Sequence, residues 1–374
     1  MRTKICKKLG IEFPIFAFTH CRDVVAAVTN AGGIGVLGAT GFSPEQLEIE
    51  LNWIDEKVGD KPYGVDVIIP NKYGGQEVRD PEKLKAIVQA AIPQRHRDFA
   101  RQLLEEHGVP ELPKGAGSRT DRVSMTELSA APLVDTALKH KNVKLIANAL
   151  GTPPADIIKQ IQDSGRLVGA LCGKPQHAQH HVDAGLDFII AQGGEGGRHT
   201  GEIGSVVLWP EVVKVAGDIP VLAAGGVGSG EQMAAALALG AQGVWSGSIW
   251  LTVTEAETSE VVKNLMFEAT SSDTVRSRSV TGKPVRMLKN DWTNAWDSEG
   301  NPESLGAPMQ MLVAGEALAR INRYPEKGKD IACAPVGQIV GKMQSTISAK
   351  DQVMEMVMGY LDVTEKLTAL LEEE

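Results

Sequence analysis

Residues 191–201 read AQGGEGGRHTG, five glycines around His199, directly after the largely apolar run 186–190. Glycine loses more freedom on folding than any other residue, so its concentration there implies a main chain that must approach something closely. His199 is the one side chain of the stretch that titrates near neutral pH, which makes it a candidate general base. Gln192 can donate to and accept from the edge of a heterocycle, and the glycines at 193, 194, 196 and 197 let the chain pass close to a flat ring. Glu195 could orient His199 or hold the loop through backbone hydrogen bonds, and Arg198 could meet an anionic substrate; for each, a solvated surface charge is the alternative. His20, in FTHCRD, is a second candidate for a pocket wall, whereas His180 and His181 read as surface or packing residues.

A second chemistry is written further on. VLAAGGVGSGEQ runs from an apolar stretch through Gly225, Gly226 and Gly228 into a helix start, and GVWSGSIW places Trp245, Ser246, Gly247 and Ser248 at another strand end. Helix N-termini carry unsatisfied N–H groups and partial positive charge, and glycine lets a phosphate reach them without a Cβ in the way. A tight turn explains either stretch alone. Two such strand ends at neighbouring positions favour a phosphate-bearing ligand.

The elements that must position these residues can be counted. Apolar runs at 13–18, 33–39, 63–69, 143–150, 166–173, 187–194, 220–226 and 243–249 make eight candidate strands. Most alternate with helices whose starts are marked by Ser43 with Pro44, by Thr152, and by Ser229. Continuous apolar runs joined by crossover helices predict parallel strands buried on both faces. Eight such units fit an α/β fold of the (β/α)8 barrel type, with an open doubly wound sheet as the structural alternative. The barrel is expected over residues 1–255. The excess at 71–125 follows the third strand and is expected to form a lid over the catalytic face. Residues 256–374 are expected to add a small, mainly helical extension packed on the barrel.

Composition narrows the function. Lys and Arg number 38 against 47 Asp and Glu, and the basic residues are scattered, so nucleic acid is an improbable partner. No run approaches a membrane span and no signal peptide is read. Four widely spaced cysteines suit neither a disulfide framework nor a paired zinc site, so no metal is expected and a cytoplasmic location is. The oligomeric state is left open.

The conjunction of AQGGEGGRHTGE, VLAAGGVGSGEQMAAALALGAQGVWSGS and NAGGIGVLGA resembles the nitronate monooxygenases, formerly 2-nitropropane dioxygenases, over roughly residues 10–340. The resemblance implies a TIM barrel binding FMN, with His199 as catalytic base and with Gln192, Gly197, Gly225, Gly226, Trp245, Ser246, Gly247 and Ser248 as cofactor contacts. It implies oxidation of alkyl nitronates by O2 to carbonyl compounds and nitrite. Flavin-type enoyl-thioester reductases look like close relatives, which brings in NAD(P)H as a second possible partner. A flavin-free isomerase or lyase on a phosphorylated metabolite is the reading from another class. Three departures stand out: Asp66 where the family has a flavin-contacting Asn, FAFTHC where it commonly has an Ala-Pro-Met segment, and Arg198 where a small residue is usual.

Overall fold

The computed structural model describes residues 1, 3–69, 87–113 and 127–372. Its first six strands are β1 (Ile15–Thr19), β2 (Ile34–Gly38), β3 (Tyr63–Val67), β4 (Val143–Asn148), β5 (Leu167–Cys172) and β6 (Phe188–Gln192). A two-residue strand β7 (Arg198–His199) follows, then β8 (Val221–Ala224) and β9 (Gly243–Ser246). All except β7 pair in parallel in the order β1-β2-β3-β4-β5-β6-β8-β9, and the ring closes where Phe16 of β1 faces Trp245 of β9. This is the (β/α)8 barrel, and closure excludes the open doubly wound sheet.

Alternation along the strands sorts the core into two compartments. Phe16, Ile34, Val36, Leu145, Phe188, Ile190, Leu222 and Trp245 cluster together inside the ring, while their strand neighbours Ile15, Leu37, Val65, Ile146 and Ile189 pack outward against the helices. Two strands meet this interior with glycine. A Cβ at Gly169 of β5 would lie 2.4 Å from the Phe188 ring, and one at Gly64 of β3 would lie 2.6 Å from Leu145. Gly169→Ala is therefore expected to overpack the barrel by about 1–3 kcal/mol. A lowered urea midpoint at unchanged slope would report it, and an unchanged midpoint would mean that the ring yields freely.

Helix starts follow the capping signals at two of the three expected places. Ser43 Oγ accepts from Gln46 N at 3.2 Å, with Pro44 opening the helix Pro44–Val58. Ser229 Oγ accepts from Gln232 N at 3.4 Å and opens the helix Gly230–Ala238. Thr152 does not cap. The next helix runs Ala155–Asp163 from an extended Pro154, because the paired prolines hold the chain out of helical geometry for two residues more. The Thr152 hydroxyl bonds instead to His181 Nδ1 at 2.8 Å.

The described part of the insertion is tied to the C-terminal extension. The helix Gln94–Glu106 buries Ala100, Leu103 and Leu104 in one cluster with Trp292, Trp296, Val313 and Ile321, and its buried His96 stacks on Trp296. Arg320, on the helix Met309–Arg323, donates to Pro110 O at 2.9 Å and to Val109 O. The rest of the expected lid, residues 71–86 and 114–125, lies outside the described residues.

The extension also holds an element that its helical appearance hides. Strands β10 (Thr274–Ser277) and β11 (Val285–Leu288) form an antiparallel pair, and β11 pairs on with β7, so the extension reaches back to the histidine loop. The closing helix Ala349–Glu372 shares the barrel's outer core through Val353 and Met356 and packs on Gly230, where a Cβ would meet Tyr360 N. No helix among the described residues is long and apolar enough to cross a membrane.

Candidate active site

The carboxyl ends of the barrel strands open on one mouth, and the chemistry-bearing residues of the sequence collect there. The loop after β6 turns at Gly193, whose N–H donates to Ala224 O at 3.0 Å; a Cβ at Gly193 would fall 2.1 Å from Ser205 Oγ. Only glycine fits. The Glu195 carboxylate accepts from Ser205 N at 3.0 and 2.9 Å and from Ser205 Oγ at 2.8 Å, so it caps the helix Ser205–Ala216, whose own N-cap position is Gly204. Of the two roles open to Glu195, holding the loop is the one the geometry supports.

The far half of the loop is strapped down from the extension. In β7, His199 lies opposite Val285 and Arg198 opposite Arg286. Arg286 Nε donates to Gly194 O at 2.9 Å, Arg276 Nη2 to Thr200 O at 3.1 Å, and Gln338 N to Glu195 O at 2.9 Å. Gly197 abuts the 336–337 backbone so closely that a Cβ would stand 2.9 Å from Gly337 N. None of these straps was legible as a functional contact, because backbone acceptors leave no residue signature.

One strap decides the state of the imidazole. His199 Nδ1 lies 3.1 Å from Pro284 O. A carbonyl can only accept, so Nδ1 carries the proton, and in the neutral ring Nε2 keeps its lone pair. His199 is exposed at the mouth, yet the protein atoms packed around its ring partly desolvate it, and this largest influence lowers its pKa; the Pro284 bond opposes this, while Lys283 and Arg198 add to the lowering. The neutral, proton-accepting form is thus favoured at neutral pH.

Beside it lies a cavity of about 360 Å³, walled by Gln192, His199, Thr200, Thr152, Lys174 and His177 among others. His180 and His181 line it too, though they differ in kind. His181 is buried with both ring nitrogens engaged, by Thr152 Oγ1 and by Leu171 O at 3.1 Å, which is a packing role, whereas His180 is exposed. His20 stands at the end of β1, its Nδ1 2.9 Å from Gly38 O and its ring edge-on to Phe18.

The two glycine turns are neighbours. Gly225 and Gly226 are both left-handed, at φ 96° and 72°, and a Cβ on Gly225 would lie 2.8 Å from Gly193 N and O. Gly228 packs on Ile249, just past the Gly247 turn, with a would-be Cβ 2.5 Å from Ile249 Cγ2. Ser248 Oγ accepts from Gly337 N at 2.9 Å. Ser246 is buried, with Trp250 Nε1 donating to its Oγ at 3.1 Å, so this hydroxyl already has a role within the turn. Trp245 is buried and stacks over Phe16 and Phe18, at 6.2 and 6.3 Å between ring centres.

Asp66 sits on β3, 2% exposed, with Oδ2 lacking any hydrogen-bond partner. Burial raises its pKa well above the usual carboxylate range, and the Arg198 charge only partly opposes this. A protonated carboxyl offers one donor and one acceptor, the pattern of the amide usual at this position. An ionised carboxylate here would set a negative charge at the mouth, and burial works against that form.

A closed parallel barrel whose polar side chains and glycine turns gather at the carboxyl-end mouth defines a TIM-barrel enzyme. More narrowly, the chain belongs to the nitronate monooxygenase family, whose model matches residues 2–359. It is 48% identical to the Mycobacterium tuberculosis protein Rv1533, named as a monooxygenase, over the full length of both chains. It is 29% identical to a Staphylococcus saprophyticus protein named as a nitronate monooxygenase, covering 80% of this chain and 82% of the relative. Among solved structures, a nitroalkane oxidase from Streptomyces ansochromogenes shares the fold at a TM-score of 0.78 and 23% identity, over 97% of this chain and 99% of that one. FabK from Thermotoga maritima aligns at 0.74 and 25% identity, over 99% of each. The chain is accordingly a flavin-dependent oxidoreductase with a small-molecule substrate.

Proposed function

We propose that the flavin is FMN and that the enzyme oxidises alkyl nitronates with dioxygen to carbonyl compounds and nitrite. The mouth fits this cofactor: the two glycine turns adjoin where Gly228 packs on Ile249 and would offer main-chain amides to one phosphate, and the buried, unpartnered Asp66 Oδ2 would offer a hydrogen bond to a ring edge. Gly225, Gly226, Gly247 and Ser248 would hold the phosphate, while Gln192, Asp66, Gly197, Trp245 and the Ser246 backbone would meet the rest. When bound, the flavin supplies the redox chemistry, taking electrons from the substrate and returning them to dioxygen.

The chain's own part is placement and proton handling. The observation that carries the reading is the His199 imidazole, fixed by Pro284 with its basic Nε2 unprotonated beside the cavity. It would remove the α-proton of a neutral nitroalkane or steer the preformed anion. Because the His199 pKa is depressed, kcat/KM for a neutral nitroalkane is expected to stay level as pH falls through the ordinary histidine range and to drop, with loss of one base, only below it. A break at or above the ordinary histidine value would contradict this assignment.

The domain reading that goes with this proposal is a flavin-binding barrel over 1–255, an insertion at 71–125 as its lid, and a mainly helical extension over 256–374. The free cysteines suit a cytoplasmic enzyme. A second reading, an FMN-dependent reductase of enoyl thioesters using NAD(P)H, draws on an enoyl reductase domain from Bacillus amyloliquefaciens that shares the fold at a TM-score of 0.65 and 16% identity, over 98% of each chain. Mass analysis of the chromophore released by denaturation, with a nitrite assay on a primary alkyl nitronate, tests the proposal. FMN plus stoichiometric nitrite is expected. A colourless protein, or FMN without nitrite, would overturn it.

A further inference from the structure

The turn after β8 is pinned from behind by the helix Ser205–Ala216. Trp209 Nε1 donates to Ala224 O at 3.0 Å and Ser205 Oγ donates to Gly225 O at 2.8 Å, so two successive carbonyls of the turn face this helix. A trans peptide sets its N–H opposite to its C=O, and the Gly225–Gly226 bond is trans. Holding Gly225 O therefore turns the Gly226 N–H away from Ser205. Gly226 N and Val227 N donate to no acceptor among the described residues, whereas the next amide, Gly228 N, is already taken by Gln232 Oε1 at 2.9 Å. Two consecutive amides left without an acceptor at a strand end are donors for an anion.

Ser205 is also the joint between this turn and the histidine loop. Its side chain is buried, with the residue 4% exposed, and its one hydroxyl proton meets two acceptors at 2.8 Å, Gly225 O and Glu195 Oε2. A carbonyl and a carboxylate both only accept, so the proton is shared in a three-centre bond. The turn rests directly on this pair: a Cβ on Gly225 would lie 2.8 Å from Ser205 Oγ, and one on Gly226 would lie 3.2 Å from Glu195 Cβ.

We propose that Ser205 is a positioning residue for the flavin phosphate: by holding Gly225 O it aims the Gly226 amide at the phosphate, and Glu195 draws on the same proton from the histidine loop. The phosphate as occupant of the turn rests on the reading under Proposed function.

Riboflavin, which is FMN without its phosphate, is the probe. Fluorescence titration of the apo-proteins with FMN and with riboflavin gives the ratio of the two affinities in wild type, Ser205→Ala and Glu195→Gln. In Ser205→Ala that ratio is expected to fall about tenfold, the upper worth of one hydrogen bond, while riboflavin affinity stays level. Glu195→Gln is expected to keep the ratio, because its amide can donate to Ser205 Oγ and leave the hydroxyl proton to Gly225 O. An unchanged ratio in Ser205→Ala would overturn the proposal. So would equal losses of FMN and riboflavin, which mark a merely structural hydroxyl, or a ratio that falls as far in Glu195→Gln as in Ser205→Ala. A wild type that binds both flavins equally would remove the phosphate from the turn, and the role of Ser205 with it; a wild type that prefers FMN, with Ser205→Ala unchanged, would sink the role of Ser205 alone.

Discussion

His199→Asn is expected to retain its flavin and to lose turnover of neutral nitroalkanes by about 100- to 10,000-fold, the usual worth of a positioned general base. Asparagine can still donate from Nδ2 toward Pro284 O, so the strap between β7 and β11 survives the change. Preformed nitronates need no deprotonation, and their turnover is expected to fall far less. The contrast between the two substrates, measured under the same oxygen concentration, isolates proton removal from cofactor binding and from electron transfer. Equal and unimpaired rates with both would remove His199 from the mechanism, and equal losses with both would make it a binding residue.

The second large effect is expected at the phosphate turn. Gly225→Val places a branched side chain at φ 96° and directs its Cβ to within 2.8 Å of Gly193 N and O. Left-handed backbone costs about 1–2 kcal/mol for such a residue, and the overlap about 1–3 kcal/mol more. Expressed in the bound conformation of the turn, that weakens FMN by roughly 30-fold or more. Gly10→Ala is the matching control, since Gly10 is also left-handed, at φ 70°, but has nothing within 4 Å of a would-be Cβ. Fluorescence titration of the apo-proteins with FMN separates the two. Wild-type affinity in Gly225→Val would show that the turn does not hold the phosphate.

The barrel was readable because its strands are buried on both faces and so appear as unbroken apolar runs at regular intervals, each ended by a helix start such as Ser43 or Ser229. Thr152 misled because capping preference is local, while the two prolines after it and the imidazole of His181 compete for the same residue. The hairpin of β10 and β11 escaped notice because β7 is two residues long and pairs with residues 285–286, nearly ninety positions away, a contact that no local period announces. At the site, residue types were legible and their states were not. His199 could be picked out by its glycines, but its tautomer comes from the Pro284 carbonyl. Asp66 reads in the sequence only as a departure from the family's Asn, and the burial that favours its neutral acid shows only in the structure.

The central claim is that a nitronate meets an FMN held at this mouth with His199 beside it. Anaerobic mixing of the purified holoenzyme with an alkyl nitronate, followed by flavin absorbance, tests it most directly. The account predicts bleaching at least as fast as aerobic turnover, with recolouring when oxygen is admitted. A flavin that stays oxidised with the nitronate and bleaches rapidly with NADPH would contradict it.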